Sequence, residues 1–200
     1  MQTLQAVSDS QLIESFLAGD QKSFELLVRR YQGKVYTTAL LIVRDKYVAE
    51  DILQDSFIRF FKKLQEGQYT EKGKLLPYLL RVANNLAIDY IRREKLLPRI
   101  TTSDGSDLFR FLNLKAESST AKLEKNEMSE LLKLAINNLK PAEREVIALR
   151  YFAGMSFKEI ADITGLNHNT ALGRMRYAVR SLRKQLLQYK ESYDPNLYPR

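Results

Sequence analysis

The side chains of this chain best suited to chemistry are cations and amides gathered on one helix face. Residues 168–188, placed on a wheel at about 100° per residue, divide in two. Ala171, Met175, Ala178, Val179, Leu182 and Leu186 fall on one side, and Asn169, Gly173, Arg176, Arg180, Arg183 and Lys184 on the other. No acidic residue stands between Asp162 and Glu191. A helix that enters the major groove needs this division: a buried back, and a front whose Arg and Asn side chains reach base edges and phosphates. Gly173 on that front would let the backbone lie close to the duplex. A solvated basic face is the plainer account of any single arginine, but it explains the whole stripe poorly.

A second constellation lies in the first half. In VAEDILQDSFIRFFKKL, Leu53, Phe57, Phe60 and Leu64 form a core stripe. Asp51, Asp55 and Ile58 share another side, and an isoleucine set between carboxylates on an outer face suits a docking patch. An Asp55–Arg59 pair on an ordinary charged surface is the alternative. Further on, PYLLRVANNLAIDYIRREK is apolar around most of its circumference, with Arg81, Asn85, Asp89 and Arg92 along its polar side. An interior Asn costs roughly half a kcal/mol of helix propensity against Ala. Its amide offers both a donor and an acceptor to a base edge. Structural hydrogen bonds from Asn84 and Asn85, with Asp89 paired to Arg92 or Arg93, are the alternative.

The elements that must position these residues are helical almost throughout. Gly and Pro are scarce, and no strand alternation is visible. Ser8 with Gln11 opens a helix over 9–18, Asp20 caps 21–43, Asp45 caps 46–66, and Pro77 suits the first turn of 76–94. Residues 98–120 turn rich in Ser, Thr, Asp and Gly and are read as a flexible linker, with an apolar island at Leu108, Phe109, Phe111 and Leu112. Helices are expected again over 121–138, 141–153, 156–163 and 168–188, ahead of a frayed tail after Tyr189. The pair SFKEIADIT and 168–188 has the parts of a helix-turn-helix. The first of the two opens with a Ser156/Glu159 capping box, carries Ile160, Ala161 and Ile163 inward, and ends in Gly165-Leu166-Asn167. The fold class is therefore all-α: two helical domains joined by a flexible linker, the C-terminal one a helix-turn-helix. The divisions are 1–97, linker 98–120, 121–190, and a tail 191–200.

Composition narrows the function. The chain has 200 residues, 32 Lys plus Arg against 24 Asp plus Glu, and a net charge of +8. Residues 51–100 hold ten bases against six acids, and 151–200 eight against four. Two basic zones imply two contacts with a polyanion. With no cysteine and His168 as the lone histidine, disulfides, Fe–S clusters, thiolate zinc sites and His-based triads drop out. Gly67…Gly73-Lys74 misses the phosphate-loop spacing by one residue and has Leu75 where Ser or Thr is required. No carboxylate cluster has metal-ligand spacing. The expectation is a protein that is not an enzyme, needs no cofactor and has no small-molecule substrate. The N-terminus lacks a signal-peptide pattern and no apolar run is long enough to span a bilayer, so a cytoplasmic location is expected.

LKPAEREVIALRYFAGMSFKEIADITGLNHNTALGRMRYAVRSLRK resembles region 4 of bacterial sigma factors of the extracytoplasmic-function (ECF) group. The matching positions are Leu139, Pro141, Arg144, Glu145, Ser156, Glu159, Ile160, Ala161, Gly165, Thr170 and Arg174. Leu172, Gly173 and Tyr177 depart from the pattern where Lys, Ser and Arg are usual. The resemblance implies that Asn167, His168, Asn169, Thr170, Gly173, Arg174, Arg176, Tyr177 and Arg180 read the promoter −35 element. Ala-Glu-Asp-x-x-Gln-Asp-x-Phe is similar to sigma region 2.2, which implies that Asp51, Gln54, Asp55 and Ile58 meet the β′ clamp helices of core RNA polymerase. Leu79, Ala83, Asn85, Asp89, Arg92 and Arg93 match regions 2.3–2.4, with Tyr78 in place of the usual Trp and Val82 in place of Ile. The implied −10 contacts are Tyr69, Tyr78, Arg81, Asn84, Asn85, Arg92 and Arg93, with the loop Gln65–Leu75 capturing a flipped base. The resemblance covers about residues 9–95 and 121–186. It implies a factor that binds core polymerase, including its β subunit, and promoter DNA. It also implies an anti-sigma partner, through which the chain would be held at the inner membrane, and a linker threading the RNA exit path. A helix-turn-helix regulator that binds duplex operator without polymerase is the alternative. It would not need the Asp51/Gln54/Asp55 patch.

Overall fold

A computed structural model describes residues 7–96 and 130–191, with side chains described to 94 and to 188. The first half comprises α1 (Asp9–Leu17), α2 (Gln21–Val43), α3 (Lys46–Gln65) and α4 (Leu75–Leu96). The second comprises α5 (130–137), α6 (Pro141–Ile147) running into a π-helical turn (Ala148–Phe152), α7 (Phe157–Thr164) and α8 (His168–Glu191). The expected linker 98–120, its apolar island, residues 121–129 and the end of the tail lie outside the described residues.

The caps fall where the sequence places them. Ser8 Oγ accepts from Gln11 N–H, and Gln11 Oε1 accepts from Ser8 N–H at 3.0 Å. Asp20 accepts from the Lys22 amide and, at 2.7 Å, from the Ser23 hydroxyl. Asp45 Oδ1 accepts from the amides of Tyr47 and Val48 at 2.9 and 3.1 Å. Each supplies an acceptor to an otherwise unpaired amide of a helix start. Between α2 and α3 the chain turns at Arg44, whose φ of 65° is left-handed without a glycine. That turn has no signal in the sequence, because Asp45 begins the next cap immediately.

In the first half α2 packs against α1, α3 and α4. Phe60, fully buried, stands at the centre of an aromatic cluster: its ring centroid lies 6.0 Å from Phe24 and 5.1 Å from Tyr69. Phe16 joins through Phe24 at 5.1 Å. Tyr31 donates to Asp9, which also pairs with Arg30, and so binds α1 to α2.

In the second half Ser156 and Glu159 form the expected capping box, and Gly165 ends α7 at φ 71°. Asn167 Oδ1 accepts from the Thr170 amide at 2.7 Å and so caps α8. The expected helix 141–153 departs from α geometry after Ile147 and widens into the π turn. On α8, Ala171, Met175 and Ala178 are buried and Leu182 is half-buried, but Val179, expected on the same side, is 38% exposed. The packed stripe is a narrow 4-3-4 seam, and one residue beyond Ala178 rotates out of it.

The two halves are not held only by the linker. The end of α2 packs against α6 and the π turn, and α4 packs against α7, so that one apolar core runs through both.

Candidate nucleic-acid interface

The front of α8 is a polar, basic and exposed row. Asn169, Thr170, Arg176, Tyr177, Arg180, Arg183 and Lys184 are exposed. The Arg180 guanidinium lies 6.0 Å from the centroid of the Tyr177 ring, a stacked pair that stiffens both side chains. A Cβ built on Gly173 would meet nothing, so the protein itself does not require glycine there. Asn167 has a structural duty as the N-cap, and exposed His168 stands edge-on to Phe157 at 6.1 Å. Arg174 differs from its neighbours. It is half-buried, and its Nη1 lies 3.3 Å from Glu145 Oε2.

The second basic face lies on α4. Arg81, Asn85, Asp89, Arg92 and Arg93 are exposed along one side, with Arg92 3.6 Å from Asp89. Tyr78 is half-buried, its ring beneath Lys63 Nζ at 5.3 Å. Two expected −10 residues are placed otherwise. Tyr69 is half-buried. Its ring sits edge-on to Phe60 and to Tyr78, the latter at 5.4 Å, and its hydroxyl donates to Glu71 Oε2 at 2.6 Å. Burial, reinforced by that carboxylate, pushes its phenol well above the ordinary range. Glu71 Oε1 also accepts the Lys74 amide at 2.8 Å, so one carboxylate fixes both the tyrosine and the entry to α4. Asn84 is 2% exposed. Its amide donates to Glu145 of α6, because it is rotated one residue from Asn85 toward the second half.

The four residues expected to dock share one outer side of α3. Asp51, Gln54, Asp55 and Ile58 are all exposed on α3, Ile58 by 49%, while Ile52, Phe57, Phe60 and Leu64 face the core. Neither carboxylate pairs with another described residue, so the alternative Asp55–Arg59 bridge does not form.

Arg144 and Glu145, matched above only as pattern residues, are the buried polar centre of the molecule. Arg144 Nη1 donates to the carbonyls of Asn137 and Leu139, and its Nε donates to Leu41 O of α2 at 3.1 Å. Burial, and then the nearby Arg44, lower its pKa to about 10. Glu145 is raised by burial, which outweighs the opposing Asn84 amide and Arg174. The available signal for this centre was the all-round apolar run Leu40-Leu41-Ile42 at the end of α2, which needs cover on more than one side.

Fold and surface together define an all-α DNA-binding protein with a helix-turn-helix, a second basic helix and a carboxylate patch. The family model for sigma-70 region 2 matches residues 27–96, and that for sigma-70 region 4 matches residues 135–184. The chain is 31% identical over 159 residues to the ECF RNA polymerase sigma factor SigM of Bacillus subtilis, covering 78% of this chain and 92% of that one. It is 26% identical over 195 residues to the RNA polymerase sigma-H factor of Pseudomonas aeruginosa, covering 96% and 94%. In fold it is similar to the sigma factor RpoE of Bartonella quintana, solved in complex with the anti-sigma factor NepR. That match has a TM-score of 0.60 and 20% identity over 84% of this chain and 96% of that one. The chain belongs to the ECF group of the sigma-70 family.

Proposed function

We propose that this sigma factor docks on core RNA polymerase through Asp51, Gln54, Asp55 and Ile58. In this reading it opens the −10 element with α4 and its preceding loop, and reads the −35 element with the front of α8. The observation that carries the polymerase half is the α3 patch. Two carboxylates without a salt-bridge partner among the described residues lead into an exposed isoleucine on a helix whose opposite side packs in the core. A regulator acting on duplex alone has no use for it. The factor works by binding: contacts made only with the opened strand offset the few kcal/mol needed to unstack a base. It takes no part in bond chemistry and needs no cofactor.

Asn85, Arg81, Arg92 and Arg93 suit the −10 strand, being exposed, basic or amide-bearing, and aligned. Tyr69 serves this face by holding the loop, not by touching DNA. An anti-sigma factor is the natural restraint on such a protein and would retain it in the cytoplasm at the inner membrane. Among the described residues no helix is long and apolar enough to cross a membrane.

The test is a pull-down with bacterial core RNA polymerase, then transcription from a library of −10/−35 promoters. Core binding with promoter-dependent transcripts is expected. Asp51→Arg with Asp55→Arg should abolish core binding while leaving the helical content and melting temperature unchanged. Normal core binding by that variant would move the docking site elsewhere.

A further inference from the structure

We infer that the surface for the opened −10 strand continues from α4 onto α3, where Arg59 and Lys63 hold its phosphate backbone beside Tyr78. The inference rests on the assignment of α4 to the −10 element.

No acid neutralises these two cations. Both are exposed, and neither forms a salt bridge with a described residue. Asp55 stands one turn before Arg59, a spacing at which helical ion pairs form, yet that pair is not made. Glu71, the acid of the adjacent loop, has its oxygens engaged by the Tyr69 hydroxyl and the Lys74 amide.

Both cations turn toward α4 instead. Lys63 Nζ lies 5.3 Å from the centroid of the Tyr78 ring. Burial raises the Tyr78 phenol and the Arg59 charge opposes that rise, so the guanidinium is within electrostatic reach of the hydroxyl. Tyr78 begins the side of α4 that continues through Arg81, Asn85 and Arg92. Arg59 and Lys63 therefore extend a basic row across the groove between the two helices. Cations for the backbone next to an aromatic ring are the parts that hold a single strand.

The same helix can serve polymerase and DNA at once. At about 100° per residue, Arg59 and Lys63 lie about 90° around α3 from the row of Asp51, Asp55 and Ile58. Charge also changes along the helix, with Asp51 and Asp55 in its first half and Arg59, Lys62 and Lys63 in its last two turns. A polyanion is repelled from the docking row and drawn to the far end. The plainer role of Lys63 is to complement the negative end of α3, in whose last turn it stands. That role adds stability and leaves the salt dependence of DNA binding unmoved.

The test uses holoenzyme assembled from bacterial core RNA polymerase and the full-length chain. The DNA is a promoter recovered from the transcription library and prepared as a fork, duplex upstream with the −10 non-template strand left single. Affinity is measured across a range of salt. Arg59→Gln with Lys63→Gln should weaken binding and lower the slope of log K against log salt by about 1.4, at about 0.7 per single-strand phosphate. Arg59→Lys with Lys63→Arg, which keeps both charges, should keep the slope. Core binding, and the slope on a duplex carrying only the −35 element, should be unchanged in both variants. An unchanged slope on the fork, where Arg81→Gln with Arg92→Gln does lower it, overturns the inference and leaves α4 assigned. An unchanged slope in the Arg59/Lys63 and Arg81/Arg92 variants alike overturns the assignment of α4 itself. A slope lowered equally on the −35 duplex would make the effect a general one of net charge, and lost core binding would give the two cations to polymerase. Either result overturns the inference.

Discussion

At the scale of single residues, structural duty separates from DNA-facing duty at Tyr69, Gly173, Arg176 and Arg180. Tyr69 donates its hydroxyl to Glu71 in a half-buried aromatic cluster. Tyr69→Phe keeps the ring and removes that bond, and leaves Glu71 holding only the Lys74 amide. It should cost about 1–2 kcal/mol in thermal unfolding. It should lower opening of the −10 region, read by permanganate reactivity of its thymines, with core binding unchanged. Reduced core binding would instead make Tyr69 part of the docking surface. Gly173 makes the opposite case. It has helical φ and open space around it, so Gly173→Ala should stabilise the free protein by about 0.5–1 kcal/mol. The same methyl should weaken −35 binding if the α8 backbone lies against the duplex, and equal affinity would place the backbone farther off. Arg176→Ala with Arg180→Ala should weaken −35 binding and reduce the slope of log K against log salt by about 2 if both neutralise phosphates. An unchanged slope would mean that neither arginine touches the backbone.

At the scale of elements, the sequence and the structure agree wherever a helix start carries its own acceptor. Ser8, Asp20, Asp45 and Ser156 mark four helix starts because a short oxygen-bearing side chain is the local solution for an unpaired amide, and such solutions need no knowledge of the rest of the fold. Ser156→Ala should therefore destabilise the helix-turn-helix by about 1 kcal/mol, measured as a shift in urea midpoint at constant slope. No shift would mean that packing of Ile160 and Ile163 alone fixes α7. Polar faces were legible for the same reason: the exposed rows of α3, α4 and α8 follow from periodicity. What escaped depends on contacts distant in sequence. Asn84 and Asn85 are indistinguishable along the chain, and only the arrival of α6 makes one an interior hydrogen-bond donor and leaves the other exposed. Tyr69 reads as a loop residue until Phe60 and Tyr78 come under it. Arg144, as a charged residue in a helix, reads as surface until three carbonyls from two helix ends converge on it. The π turn at Ala148–Phe152 has no pattern of its own.

At the scale of the whole molecule, the contact between the two halves should carry its own pH dependence. Glu145 is the titratable group at the contact. From α8 it faces Arg174, from its own helix Arg144 is its neighbour, and from α4 the facing group, Asn84, does not titrate. Burial raises its pKa where the halves meet, and parting of the halves would return it toward the ordinary carboxylate value. A group whose pKa is raised in the contact favours that contact most strongly when protonated. That contribution is complete below the ordinary value and is lost as pH rises through the raised one. The separation of spin labels at Glu25→Cys and Lys158→Cys, exposed on α2 and α7, should therefore lengthen with rising pH across that window, with helical content constant. Glu145→Gln, fixed in a neutral form, should flatten the dependence and stay short throughout. A dependence that survives Glu145→Gln would assign the titration to another group and leave the two halves held by the Arg144 bridge and the shared apolar core.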